Sequence, residues 1–283
     1  MSDKPDDIDA DCARIGYSGP REATLAVLQT LVARHSAAIP FENLDVLLKR
    51  PIRLDLASLY AKLVGKRRGG YCFEQNLLLL DVVRRIGFSA VGLAARVQWG
   101  RPAGTIGPRT HMLLRVDLAE GPYLADVGFG GPAPTAPLAL QAGNEQATPH
   151  GSFRLVAAGG EFDLEAKLGK QRASLYRFSP QEQLAVDYEV ANWFTSTHPN
   201  SLFVNHLIAA RLDPVARYTL FNNKFTVRNR DGTTERRTLD DVSEFGKVLA
   251  RHFGIASIGA DDIAAIAAIA KAQAAHPSPF DGG

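Results

Sequence analysis

A cysteine, a histidine and an aspartate in three separate motifs are the residue types that perform acyl transfer through a thioester. Cys72 follows two glycines and an aromatic residue in RRGGYCFEQN, and helical apolar spacing begins at or just after it. Unpaired N–H groups and the positive end of the helix dipole stabilise a thiolate there. The pattern favours a nucleophile over the commoner alternative, a small buried hydrophobe, which is our interpretation of Cys12.

A nucleophilic cysteine needs an imidazole to take its proton and a carboxylate or amide to orient that imidazole. Of the seven histidines, His111 emerges from the Gly/Pro-rich loop GRPAGTIGPRT into an apolar run, MLLRV. The alternative for His111 is an ordinary strand-end residue bonded to a backbone carbonyl. Asp126 lies in the apolar run ADVGFGG, where a carboxylate is costly unless it is paired or hydrogen-bonded. The predicted triad is Cys72, His111 and Asp126.

Spacing alone does not bring His111 to Asp126. If their strands form a simple hairpin that turns near Glu120, Asp126 faces about Leu114 instead. A bulge or an irregular strand end is therefore required for contact.

Three zones must position these residues. In the first, leucines at helical spacing predict helices in REATLAVLQTLVARHSAA and after Pro51, and a third helix runs from near Cys72 to Gly87. From about residue 88, short apolar runs separated by turn residues predict an antiparallel β-sheet or barrel. The last zone contains a hairpin that turns at Asp231-Gly232, then two helices, the first capped by Asp240 or Asp241.

Composition limits the possible functions. With 32 Lys and Arg against 30 Asp and Glu, the net charge of +2 gives no electrostatic case for nucleic acid or a membrane surface. The acidic N-terminus lacks the apolar region of a secretory signal, so we expect a cytoplasmic protein. The two cysteines are too far apart for a Cys-x-x-Cys zinc motif, and no metal site is predicted.

Five motifs, in order, resemble those of the prokaryotic arylamine N-acetyltransferases: IPFENLD, RRGGYCFEQN, HMLL, ADVGFGG and STHPNS. The resemblance implies an α+β fold with an N-terminal helical bundle (1–87), an antiparallel β-barrel (88–200) and a C-terminal α/β lid (201–283). It also implies a papain-like triad of Cys72, His111 and Asp126, with acetyl-CoA as cosubstrate and no permanently bound cofactor.

In such an enzyme, acetyl passes from CoA to Cys72 and then to an arylamine, arylhydroxylamine or hydrazine. Apolar, aromatic walls suit an aromatic amine, and the expected pocket residues are Phe41, Tyr71, Phe129 and Phe203. Backbone N–H groups of a glycine-rich loop and the loop beside His111 could hold CoA, and the expected residues are Gly107, Pro108, Thr110, Gly128, Gly130 and Gly131. We expect Arg68 to pair with Glu42 and brace the cysteine loop.

Three other functions stay open at this point. A hydrolase with the same triad would pass the acyl group to water, and a related synthase would use a larger acyl chain. A non-catalytic CoA-binding or redox-sensing protein would use Cys72 only as a reactive thiol. The expected partners are acetyl-CoA and small aromatic amines or hydrazines, with no nucleic acid or membrane, and the chain is expected to be a monomer or homodimer.

Overall fold

The computed structural model describes residues 8–102 and 104–277. Residues 1–7, on which the prediction about a secretory signal partly depends, lie outside this described part. Within it, no helix is long and apolar enough to cross a membrane.

The predicted helices are confirmed, and their ends follow the local signals. The helix of the cysteine motif begins at Cys72 and ends before Gly87, whose φ of 108° is left-handed and suits glycine. Asp241 is the N-cap of the helix after the hairpin. The helices are α1 Ile8–Ile15, α2 Leu25–Ala38, α3 Leu44–Leu47, α4 Leu56–Leu59 (continued by a π-helical turn, Tyr60–Gly65), α5 Cys72–Ile86, α6 Ala185–Thr197, α7 Leu202–Asn205, α8 Val242–Phe253 and α9 Ala260–Ala272.

The strands form two antiparallel sheets. Eight of them form a nearly closed barrel in the order β5-β4-β3-β2-β9-β8-β7-β6, and the Gln146 side chain bridges the gap by bonding the Ala139 N–H and C=O. The others form a sheet in the order β1-β10-β11-β12-β13. The strands are β1 Phe41–Glu42, β2 Ser89–Val97, β3 Arg109–Leu118, β4 Gly121–Ala125, β5 Leu138–Ala139, β6 Glu145–Thr148, β7 Gly151–Ala158, β8 Glu161–Leu168, β9 Gln171–Phe178, β10 Ile208–Leu212, β11 Ala216–Phe221, β12 Lys224–Asn229 and β13 Thr234–Thr238.

Strand β3 separates the apolar cluster of the helices from that of the barrel. Met112 and Leu114 belong to the cluster that contains Cys72 and much of α5, whereas Leu113 belongs to the barrel cluster with Tyr176. Because side chains alternate along a strand, His111 shares the face of Leu113. The start of β3 is thus the place where the helical and barrel clusters meet.

Candidate active site

The cysteine loop and the start of α5 fix the position of Cys72. Tyr71 is the N-cap, and its N–H donates to Oε2 of Glu74 at 3.0 Å, which anchors the first turn. Cys72 is the first helical residue and is only 3% exposed. Its Sγ lies 3.5 Å from the carbonyl oxygen of Thr110 on β3. The predicted helix N-terminus at Cys72 is confirmed.

Five buried or partly buried charged residues hold the loop before α5, and we call them the ionic brace: Glu42, Asp45, Lys62, Arg68 and Glu74. The predicted pair is confirmed, because Arg68 Nη2 lies 2.7 Å from Glu42 Oε1. Lys62 lies 2.7 Å from Glu74 and 2.8 Å from Asp45. The brace therefore ties the cysteine helix to the π-helical turn and to the segment after β1.

The contact between His111 and Asp126 arises where β4 stops. The last pair of the β3–β4 ladder is Leu114 with Ala125, so continuing that register would place Asp126 opposite Leu113, within one residue of the expected partner and not opposite His111. Beyond that point the strand is irregular, as predicted, and Asp126 reaches back diagonally to His111 on the same face. Nε2 of His111 and Oδ2 of Asp126 are 2.7 Å apart.

Asp126 is almost completely buried, yet its carboxylate accepts four hydrogen bonds. Oδ2 accepts from His111 and from the Tyr176 hydroxyl at 2.9 Å, and Oδ1 accepts from Asn76 at 3.1 Å and from the Gly128 N–H at 2.9 Å. Burial acts to raise the pKa of Asp126, but the His111 charge and these donors hold it below its ordinary value. The site favours the anion.

His111 contacts both the Cys72 thiol and the Asp126 carboxylate. Burial acts to lower the pKa of His111, but the Asp126 carboxylate, followed by the hydrogen bond to Cys72, raises it well above its ordinary value. Since Nε2 is bound to Asp126, Nδ1 is the nitrogen left for the Cys72 thiol. The arrangement can therefore support an imidazolium beside a thiolate.

Sequence reasoning missed two residues that touch Asp126. Asn76 is a polar residue one helical turn after Cys72 in an otherwise apolar helix face, and that spacing was a usable signal. Tyr176 lies on β9 in the unremarkable run LYRFS. Its ring lies 4.9 Å from that of His111, but nothing local in the sequence indicates this contact.

The four residues expected in an acceptor pocket fall into two neighbouring groups. Phe129 places its ring in an edge-to-face contact with His111, with 5.2 Å between ring centroids. Phe203 packs against both Phe41 and Tyr71, at 5.9 and 5.7 Å. Tyr71 is fully buried, and its hydroxyl donates to Asn192.

The residues expected to hold CoA lie in two segments, one that leads into β3 and one that follows β4. The Gly128 N–H already donates to Asp126, and a Cβ there would lie 2.6 Å from the Cys72 Cα, so glycine is required by close packing. The Gly107 carbonyl accepts a hydrogen bond from Arg96 at 2.6 Å, and the neighbouring Pro108 is exposed. Thr110 faces Cys72 through its carbonyl oxygen.

Two further glycines expected at CoA lie next along the chain. Gly130 has a φ of 77° and sits against the Phe41 ring, whereas Gly131 lines a narrow cleft with Trp99 and Arg217. In the described part of the chain, no group of three or more His, Cys, Asp or Glu side chains is arranged to hold a metal ion.

Two large surface clefts in the described part of the chain are lined by residues other than the proposed triad. One of about 740 Å³ lies between the β2–β3 loop and strands β8 and β9, and one of about 410 Å³ adjoins the ionic brace. Cys72 and His111 are each 3% exposed and Asp126 is 1% exposed. The hydrogen-bonded contacts, rather than cleft size, therefore identify this site.

Comparison with known proteins gives the family of this chain. A family model described as N-acetyltransferase matches residues 24–261. The arylamine N-acetyltransferase of Escherichia coli (strain K12) is 42% identical over 251 residues, 88% of this chain and 88% of that protein. The arylamine N-acetyltransferase / N-hydroxyarylamine O-acetyltransferase of Salmonella typhimurium is 40% identical, covering 90% of this chain and 92% of that protein. The solved structure of Mycobacterium marinum arylamine N-acetyltransferase in complex with CoA has a TM-score of 0.88 at 39% identity, covering 93% of this chain and 99% of that one. This chain belongs to the arylamine N-acetyltransferase family.

Proposed function

We propose that this enzyme transfers acetyl from acetyl-CoA through a Cys72 thioester to an arylamine, arylhydroxylamine or hydrazine. The observation that carries the proposal is the buried chain of contacts from Cys72 through His111 to Asp126. Family membership supports the reaction class, and the geometry supports the roles that we give to the residues.

In the first half-reaction, Nδ1 of His111 takes the proton of the Cys72 thiol, and the thiolate attacks the carbonyl carbon of acetyl-CoA. The tetrahedral oxyanion is stabilised by the Cys72 N–H at the start of α5. Its collapse breaks the bond to the CoA sulfur, which takes the proton from His111 and leaves as the CoA thiol, so that His111 is again neutral. One thioester replaces another, so this exchange is close to balanced in free energy.

In the second half-reaction, the amine nitrogen attacks the acetyl-cysteine, and His111 accepts the proton that the nitrogen loses. The bond to Cys72 Sγ breaks, the sulfur regains a proton, and the N-acetyl product leaves. Asp126 orients His111 and stabilises its charged form in both halves.

The acceptor class is supported by the aromatic residues near the thiol. Phe129 contacts His111, and Phe41 and Phe203 pack nearby, so a flat aromatic amine would meet apolar ring surfaces. The Salmonella relative is named for N-hydroxyarylamines as well as arylamines, which supports arylhydroxylamines as acceptors.

The donor is supported by the CoA complex of the Mycobacterium marinum relative. We propose that Gly107, Pro108, Thr110, Gly130 and Gly131 lie along the path of CoA. We give Gly128 a packing role instead, because its N–H is already engaged by Asp126.

The test is intact-protein mass spectrometry after mixing with acetyl-CoA in the absence of an amine. We expect one acetyl adduct, located on the Cys72 peptide, that disappears when an arylamine is added and that yields the N-acetylarylamine. Cys72→Ser should form no adduct that the amine removes, whereas Cys12→Ser, the matched control at the other thiol, should behave as the wild type.

Three outcomes would contradict the proposal. Steady release of CoA without an amine would indicate the hydrolase with the same triad. A wild-type protein with no acetyl adduct, or a Cys72→Ser variant that retains most of the transfer activity, would exclude Cys72 as the carrier.

A further inference from the structure

The side-chain amide of Asn76 is bonded to the elements that carry all three proposed catalytic residues. Asn76 lies on α5, one turn after Cys72, and is fully buried. Its Nδ2 donates to the Met112 carbonyl oxygen at 2.8 Å and to Asp126 Oδ1 at 3.1 Å. Its Oδ1 accepts from the Val127 N–H at 3.2 Å. One amide thus joins α5, the start of β3 and the segment that follows β4.

These contacts permit only one orientation of the amide. If its oxygen and nitrogen were exchanged, the oxygen would face two acceptors, Met112 O and Asp126 Oδ1, and the nitrogen would face the Val127 N–H. Because both acceptor contacts depend on the NH₂ group, the site distinguishes an amide from a carboxylate at position 76.

The same contact completes the set of donors around Asp126. A carboxylate offers about four lone-pair positions, and here they are occupied by His111, Tyr176, Asn76 and the Gly128 N–H. At Oδ1 both neighbours are donors, so a proton on that oxygen would have no acceptor. Asn76 therefore stabilises the anion specifically.

We propose that Asn76 is a positioning residue that locks Asp126 to the cysteine helix and keeps it anionic, so that His111 can hold the proton of Cys72. Its relevance to acetyl transfer rests on the proposed function. The titratable groups that face this cluster are His111 from β3, Tyr176 from β9 and Cys72 from α5, with Tyr188 of α6 also close to Cys72.

The test follows the reactivity of Cys72 rather than acetyl transfer. The rate of alkylation by iodoacetamide is measured against pH for the wild type, Asn76→Ala and Asn76→Asp, with peptide mass spectrometry to separate Cys72 from Cys12. The rate should rise with pH at the acid end of this profile, and we call that rise the acid limb. In Asn76→Ala, the loss of one hydrogen bond to the Asp126 carboxylate should move the acid limb to higher pH by about one unit. In Asn76→Asp, which is nearly isosteric, a second carboxylate beside Asp126 should move it further.

Gln75→Ala is the matched control. Gln75 is the preceding residue on α5 and equally buried, but its amide bonds His35 at 2.7 Å and the Pro40 carbonyl at 2.8 Å rather than the triad. It should lower the melting temperature and leave the acid limb where it is in the wild type. If Asn76→Ala behaves in that way too, or if Asn76→Asp keeps the wild-type profile, Asn76 is only structural and the inference is wrong.

This readout is independent of acetyl-CoA. A wild type that forms no acetyl adduct would refute the proposed function, while the alkylation profiles would still decide the role of Asn76. Asn76→Asp serves if truncation to alanine prevents folding, because it preserves the side-chain volume.

Discussion

Two buried polar clusters adjoin the first turn of α5, and they differ in whether their charge can move. In the proposed triad, His111 lies between the Cys72 thiol and the Asp126 carboxylate, and under the proposed function its charge changes as it takes up and gives up a proton. In the ionic brace, burial opposes charge, but the surrounding carboxylates raise the pKa values of Lys62 and Arg68, which therefore stay charged.

The difference separates two uses of buried polarity. A cluster of fixed opposite charges can hold a loop in one place, and disrupting it mainly reduces the free energy of unfolding. A cluster in which a proton moves can perform acid–base chemistry, and disrupting it mainly lowers the rate of the catalysed reaction. If this division is right, substitutions in the two clusters should have opposite balances of rate and stability.

The largest effect is expected from Asp126→Asn. The substitution retains the size of the side chain but removes the charge that supports the His111 imidazolium and selects its tautomer. We expect kcat/KM for acetyl transfer to fall by about 10³- to 10⁴-fold. The measurement is steady-state CoA release with an arylamine, with near-UV circular dichroism to verify folding. A decrease of less than tenfold would show that Asp126 is not the orienting residue.

The next effect is expected in the ionic brace. Arg68→Met leaves Glu42, whose side chain is fully buried, without its closest cation, and should reduce the free energy of unfolding by about 3–5 kcal/mol. The folded fraction should retain a rate close to that of the wild type. Urea unfolding measures the first quantity, and activity per folded molecule at low temperature measures the second.

The double variant Glu42→Gln/Arg68→Met is the control for this prediction. It removes both charges and should recover much of the lost stability, because the penalty arises from an unpaired buried charge. A single variant that stays stable but shows an altered pH–rate profile would instead place Arg68 in the proton-moving cluster and break the comparison.

The cysteine end of this site could be predicted from sequence because its signals are local. Two glycines, an aromatic residue and the start of a helical pattern define the first turn of α5, and Gly87 defines its end. The Arg68–Glu42 pair could also be predicted, since both residues lie within recognisable motifs.

The histidine–aspartate contact depended on something that spacing does not encode. The β3–β4 ladder stops after Ala125, and this stop lets Asp126 turn toward His111. The contact between Tyr176 and Asp126 was even harder to predict from the sequence. Tyr176 reaches Asp126 because β9 pairs with β2 in the middle of the barrel sheet, and no local pattern indicates this pairing between residues about 80 positions apart.

In the C-terminal zone, too, local signals predicted the elements but not how they are connected to the rest of the molecule. Its hairpin and two helices were predicted correctly from turn residues and caps. Its sheet, however, is completed by the two-residue strand Phe41–Glu42 from the first zone, which pairs with β10. A strand so short has no periodicity to detect, so the link between the cysteine loop and the C-terminal sheet appears only in the structure.

The smallest effect is a pH dependence of stability that has opposite sign for two buried histidines. The pKa of His111 is raised in the folded state from an ordinary value of 6.5. The contribution of His111 to the free energy of unfolding is therefore fully present below about pH 6.5 and is lost as the pH rises above that value. Burial lowers the pKa of His35 to about 4. The contribution of His35 to the free energy of unfolding is therefore present above about pH 6.5 and is lost as the pH falls toward 4.

Urea unfolding between pH 4 and pH 9 would measure both. Relative to the wild type, His111→Gln should flatten the decline in stability above pH 6.5, and His35→Gln should flatten the decline below it. Because a tenfold change in proton affinity corresponds to about 1.4 kcal/mol, we expect differences of about 1–3 kcal/mol across each range. His35 bonds the Gln75 amide rather than a carboxylate, which makes it the neutral counterpart of His111. If both variants changed the same side of the profile, the Asp126 anion would not be what keeps His111 charged.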